Sequence, residues 1–243
     1  SNAVRMSSMV SEADMRRQAE TAYREVLATQ RQKGALNVDQ ALNSRVRAIT
    51  SRLIPASAAF RPEAAQWKWE VNVIRSDQIN AWCMPGGKVV VNTGILPVTG
   101  TEAGLAVVVG HEIAHIFAKH GAERMTQGLV VQMGGMALSV ALQKQPEATQ
   151  NLFVSSYGLG TQVALLLPFS RLHENEADRL GLIFMSMAGY DPQTAVAFWE
   201  RMAAQKSGNA QPEFLSTHPA DSTRIQNLKE LIPEAMEYYR PAN

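Results

Sequence analysis

The run from Leu105 to Phe117 constrains this chain more than any other segment. Leu105-Ala-Val-Val-Val-Gly110 is apolar, and it leads directly into His111-Glu112-Ile113-Ala114-His115 before Ile116 and Phe117 resume the apolar pattern. Thirteen residues of this kind predict a buried helix, which we extend over Thr101–His120 with Thr101 as its N-cap. Two imidazoles and a carboxylate inside such a helix are costly unless something pairs with them. Residues four apart lie on one face, one turn apart, so both imidazoles can reach a single Zn²⁺. Glu112 then stands beside the metal, placed to take a proton from a water whose pKa the ion has lowered towards about 7. Two core histidines satisfied by backbone groups are the plainer alternative.

A catalytic zinc needs a third protein ligand and one open position. A third histidine at 121 with glycine at 118 would supply it, but the chain has Ala118 and Gly121, and His120 falls on another face. Residues 170–178 offer the other solution. Glu174 and Asp178 are four apart on a helix read over Arg171–Ala188. Glu174 is expected to bind the metal. Asp178 is expected to accept a hydrogen bond from the far nitrogen of a ligand histidine, fixing its tautomer. The plainer reading of the same spacing is a salt-bridged surface helix.

These two blocks, with Asn80-Ala-Trp-Cys-Met-Pro-Gly-Gly-Lys-Val-Val-Val-Asn-Thr-Gly94 upstream and His218-Pro219 and Arg224 downstream, resemble peptidase family M48, over roughly residues 40–235. The resemblance implies a gluzincin fold, one Zn²⁺ per chain and metalloendopeptidase activity, and its soluble bacterial branch is the nearest in pattern. The fold expected is therefore α+β: a mostly helical zincin-like domain with a small sheet beside the His111–His115 helix and an N-terminal helical extension. Residues 1–3 read as the remnant of a cleaved tag, 4–38 as the extension and 39–243 as the metallopeptidase domain.

His218 has two chemical uses. It can donate a hydrogen bond to a developing oxyanion, or it can take the fourth metal position and exclude water, as the resemblance implies for a switch of this kind. Arg224 is expected to stabilise the same developing charge. His218-Pro219 simply opening the last helix is the plainer reading. Val89, Val90, Val91 and Asn92 are read as a sheet edge facing the cleft, where an extended polypeptide adds as a further strand. Pro55 is expected to stop a helix begun at Asp39, and Pro233 to lie beyond a helix ending at Leu231.

Lys plus Arg is 23 and Asp plus Glu 22, a balance that argues against a dedicated nucleic-acid binder. Cys83 is the single cysteine, so no internal disulfide forms. Two apolar runs within residues 126–170 read as a buried helical hairpin or as a lid or membrane-facing hairpin. A tag remnant at the start suggests a removed leader or anchor. Together with the resemblance to the soluble bacterial branch, this makes the expected address the bacterial periplasm or an outer-membrane lipoprotein, with a membrane-associated cytoplasmic protein as the alternative. The family resemblance implies cleavage of extended or misfolded proteins, in envelope quality control. A chaperone or binding protein with a zinc-filled but closed cleft is the alternative.

Overall fold

The computed structural model describes residues 12–119, 169–205, 212–220 and 222–241. Residues 1–3, His120, most of the hairpin expected over 126–170 and the start of the loop at Lys206 lie outside them.

The expected α+β, mostly helical architecture is observed. Helices α1 (Glu12–Gln32) and α2 (Gln40–Ala58) come first. Strands β1 (Glu70–Ile74), β2 (Ala81–Met84) and β3 (Lys88–Asn92) follow, then a one-turn helix α3 (Leu96–Thr99) and the long helix α4 (Glu102–Phe117). The remaining helices are α5 (Arg171–Met187), α6 (Thr194–Ala204), the short α7 (Glu213–Thr217) and α8 (Ser222–Glu237).

The sheet order is β1-β3-β2, with β1 parallel and β2 antiparallel to β3. This corrects the expectation for Val89, Val90, Val91 and Asn92. β3 is the central strand, its backbone is paired on both sides, and no further strand can add to it. All five of its residues are buried. Val89 and Val91 point into the main core, whereas Val90 meets Tyr23, Leu27 and Ile74 under α1. Both faces are covered, which is why the strand reads as an unbroken apolar run rather than an alternation. Among the described residues, the unpaired edge near α4 is that of β2.

Helix α1 is more than a loose extension. Tyr23 and Leu27 are fully or nearly buried against the sheet. The Asn72 side-chain amide donates to the Tyr23 hydroxyl, and Arg24 pairs with Glu70 and, at 2.8 Å, with Glu20. Lys88, itself buried, stands 3.0 Å from Glu70 and 3.6 Å from Glu20.

Both proline expectations are corrected as well. α2 continues through Pro55 to Ala58, and α8 through Pro233 to Glu237. A proline removes the bond to the carbonyl four residues back and crowds it. Those carbonyls belong to Ser51 and Lys229, both exposed, where water can replace the lost donor. Buried residues on each side of the ring, Leu53 and Ser57 in α2 and Leu228 and Ala235 in α8, hold the helix in place across it. The Ser57 hydroxyl also bonds the Ile54 carbonyl at 2.7 Å.

Helix α4 is buried without interruption from Gly104 to Phe117. Its start is set by the Thr101 hydroxyl, which accepts from the Gly104 amide at 3.1 Å. A Cβ at Gly104 would lie 1.8 Å from the Thr99 carbonyl oxygen, so only glycine allows α3 to turn into α4 there. Helix α5 is capped likewise, by Ser170 accepting from the His173 amide. Its inner face carries Glu174, Ala177, Asp178 and Gly181 at the three-and-four spacing of a helix packed on a neighbour. That neighbour is α4. No single helix among the described residues is long and apolar enough to cross a membrane.

Candidate metal centre

The one-turn spacing of His111 and His115 brings their Nε2 atoms to 3.1 Å from each other. Glu174 approaches from α5: its Oε2 lies 2.8 Å from His111 Nε2 and its Oε1 3.4 Å from His115 Nε2. His218, at the end of α7, adds a fourth donor. Its Nδ1 is 2.6 Å from Glu174 Oε1 and 3.3 Å from His111 Nε2. One ligand atom from each of the four residues lies within 4.8 Å of every other, and all four residues are buried.

These separations test whether the site suits a zinc ion. With bonds of about 2.0–2.1 Å and tetrahedral angles, neighbouring donors should stand about 3.3 Å apart. The observed 2.6–3.4 Å brackets that spacing. The donor chemistry, three imidazoles and one carboxylate, also fits. Two imidazole nitrogens 3.1 Å apart can share only one proton, so the converging lone pairs call for a cation.

The electrostatics agree with a site built around positive charge. Burial opposes the charged form of His111, but Glu174 and Asp178 outweigh it and raise its pKa to about 9. Burial holds His115 well below its ordinary value. Burial also works against ionised Glu174, yet the surrounding imidazoles, His218 first, hold it well below the usual carboxylate range.

The remaining polar groups fix this arrangement. Asp178 Oδ1 lies 3.2 Å from His111 Nδ1, the far nitrogen, as the helical spacing predicted. Arg224 is placed against Glu174 and Asp178 of α5. Its guanidinium donates to Glu174 Oε2 at 2.8 Å, to Asp178 Oδ1 at 2.7 Å and to the Pro219 carbonyl at 2.8 Å. It also lies 3.7 Å over the Trp199 ring. These bonds tie the guanidinium to the two acidic side chains that stand beside His111.

Glu112 differs from all of these. It is fully buried, and neither carboxylate oxygen has an aligned hydrogen-bond partner among the described residues. Oε1 stands 2.9 Å from His218 Nε2, close enough for charge attraction but out of line for a hydrogen bond. The carboxylate lines a cleft of about 320 Å³ with Asn80, Trp82 and Cys83 of the β2 side and Ser216 and His218 of the α7 segment.

Sequence reasoning missed two groups of residues. The first is an aromatic frame: Phe169 stacks on His115 with centroids 3.7 Å apart, Phe214 stacks on His218 at 4.2 Å, and Trp199 meets His111 edge-on at 5.7 Å. Trp199 is both core and frame. Trp82 lines the cleft. The second is the pair Gly110 and Gly181, where α4 and α5 touch. A Cβ on Gly181 would meet the His111 backbone at 3.2 Å, and one on Gly110 would meet the Gly181 carbonyl oxygen at 3.3 Å. Glycine in a helix interior costs about 1 kcal/mol relative to alanine, and its occurrence beside each motif was the available signal.

The sequence model of Peptidase family M48 matches residues 40–232. The chain belongs to peptidase family M48. Among curated relatives, this M48 chain is 37% identical to the mitochondrial metalloendopeptidase OMA1 of Schizosaccharomyces pombe, over 90% of the chain and 61% of the relative. It is 32% identical to the human metalloendopeptidase OMA1, mitochondrial, over 75% and 36% respectively. It is 28% identical to the beta-barrel assembly-enhancing protease of Escherichia coli, over 65% and 33%. The chain thus spans about three fifths or less of the length of these relatives. The mitochondrial names at 32–37% identity overturn the expected bacterial periplasmic or outer-membrane address and its membrane-associated cytoplasmic alternative. A soluble bacterial branch is likewise not singled out, since the matches fall in eukaryotes and bacteria alike.

Proposed function

We propose that this M48 chain is a zinc-dependent endopeptidase that cuts polypeptides held in extended form. The observation that carries the reading is the buried Glu112 carboxylate, without an aligned partner, facing a cleft beside a four-donor cluster. His111, His115 and Glu174 would hold the metal. A bound zinc supplies Lewis acidity and a water acidic enough to lose its proton near neutral pH. Glu112 accepts that proton and returns it to the leaving amine, so one carboxylate acts first as base and then as acid. Asp178 holds His111 in the tautomer whose Nε2 lone pair faces the cluster. The substrate lies along the open edge of β2, Ala81–Met84, in place of the β3 edge expected from sequence. Relatives named as metalloendopeptidases support the same reaction.

Incubation with an unfolded protein tests this reading. Internal cleavage should stop when zinc is removed by a chelator and return on adding zinc alone. Cleavage that persists without metal would contradict it.

His218 closes the fourth donor position in this conformation, so we read it as a gate rather than an oxyanion donor. His218→Ala should raise kcat/KM, about tenfold if nine in ten molecules rest closed. A fall of two orders of magnitude instead would assign His218 to the transition state.

A further inference from the structure

We infer that helix α1, which lies outside the matched family domain, forms the far wall of a substrate subsite, with Val26 selecting an apolar side chain. The inference rests on the endopeptidase reading and names a specificity determinant within it. Val26 lines the same cleft as Glu112 and His218. It comes from residues 12–32, whereas the family match begins at 40.

Strand geometry says which substrate residue it meets. Along β2, Ala81 and Cys83 turn into the main core under α4, whereas Trp82 turns to the α1 side, in edge-to-face contact with Tyr23 at 6.3 Å. A peptide added to the β2 edge continues this alternation. Residues on one face then stand over α4 and Glu112. The residues between them point to the opposite face, towards Trp82 and Val26. Each of these offers apolar surface, and Val26 and Trp82 are half-buried, with contact area still open.

The wall is built rather than adventitious. Tyr23 and Leu27, one turn apart, are buried in the sheet, which leaves Val26 beside them turned to the cleft. The Asn72–Tyr23 hydrogen bond and the Arg24, Glu20, Glu70 and Lys88 ion pairs hold the helix from two further directions. Val26 also packs against the Tyr23 and Leu27 cluster, while the hydrogen bond and the ion pairs hold the helix without it. Its neighbours on the cleft, Trp82, Cys83 and Phe169, are apolar, and the polar groups Asn80, Glu213 and Ser216 lie around them. The chemistry recognised is therefore a branched or aromatic apolar side chain, one position removed from a residue facing Glu112.

The test uses the full chain loaded with zinc and peptides that differ at this one position, carrying Ala, Leu, Phe or Lys. The unaltered chain should favour Leu or Phe over Ala by about tenfold in kcat/KM, the scale of a few methylenes in an apolar pocket. Val26→Trp should abolish that preference and leave Ala best, and Val26→Glu should make Lys the preferred residue. Both variants should still fold and melt cooperatively, because Tyr23, Leu27 and the ion pairs of Arg24 remain, and each is compared with the parent by its melting curve. The same peptides are also ranked by fluorescence anisotropy on the Glu112→Gln background, which reads the subsite whether or not cleavage occurs. Correct rankings in binding without any cleavage by the parent would count against the endopeptidase reading and leave the subsite standing. Identical rankings in all three proteins, or no binding by any peptide, would overturn the subsite.

Discussion

Glu112→Gln is expected to lower kcat/KM on an unfolded protein by about 10²–10⁴-fold, the usual contribution of a positioned general acid–base group. The substitution removes the carboxylate charge, and with it the attraction to His218 Nε2 at 2.9 Å, while keeping the shape. Glutamine has nearly the same shape, and Glu112 makes no aligned hydrogen bond among the described residues that the amide would break. The donors that surround the metal position are His111, His115, Glu174 and His218, and none is altered. Metal content and melting temperature should therefore match the parent, while cleavage is lost. Equal cleavage by both forms would remove Glu112 from the mechanism.

Gly181→Ala should destabilise the fold and loosen the metal centre together. The new methyl would meet the His111 Cα and amide nitrogen at 3.2 Å and the Gly110 carbonyl carbon at 3.3 Å. These are backbone atoms of α4, so no side chain can swing aside, and the two helices must separate by a few tenths of an ångström. Overpacking of this kind costs about 1–3 kcal/mol. Alanine would by itself favour the helix by about 1 kcal/mol, so a net loss isolates the clash from propensity. At this chain length each kcal/mol corresponds to about 2–4 °C in Tm. The separation also pulls Glu174 and Asp178 away from His111, and misplaced supporting groups typically weaken metal binding about 10–100-fold. Thermal unfolding and competition with a chelating dye read the two effects. If both stay unchanged, Gly181 is not what lets α4 and α5 approach.

The parts of this site that were legible in the sequence are those in which chemistry is encoded locally. His111 and His115, and Glu174 and Asp178, each sit four apart on one helix, and helical geometry alone predicts a shared face. The Thr101 cap was legible for the same reason. What joins the two helices was not. His218 reaches Glu174 across 44 positions and Arg224 reaches it across 50, through a chain path that periodicity does not describe. The aromatic frame was hidden similarly, because Phe169, Trp199 and Phe214 read as ordinary core residues until the imidazoles they stack on are located.

The misreadings have physical causes. β3 was taken for an edge although Val89-Val90-Val91 lacks the alternation of a half-exposed strand; β1 and β2, which do not pair with each other, occupy its two sides. Pro55 and Pro233 were taken for helix ends because proline is costly in isolation. In the folded chain the affected carbonyls belong to exposed residues, and buried neighbours hold the helix on both sides. In each case tertiary burial outweighed a local preference.

The central claim is that two imidazoles of α4 and a carboxylate of α5 hold one zinc ion. Elemental analysis after saturation with zinc and removal of excess tests it most directly, comparing the parent chain with His115→Ala. The account predicts about one zinc per chain in the parent and nearly none in the variant, with both proteins folded. No zinc in the folded parent, or equal zinc in both, would contradict it.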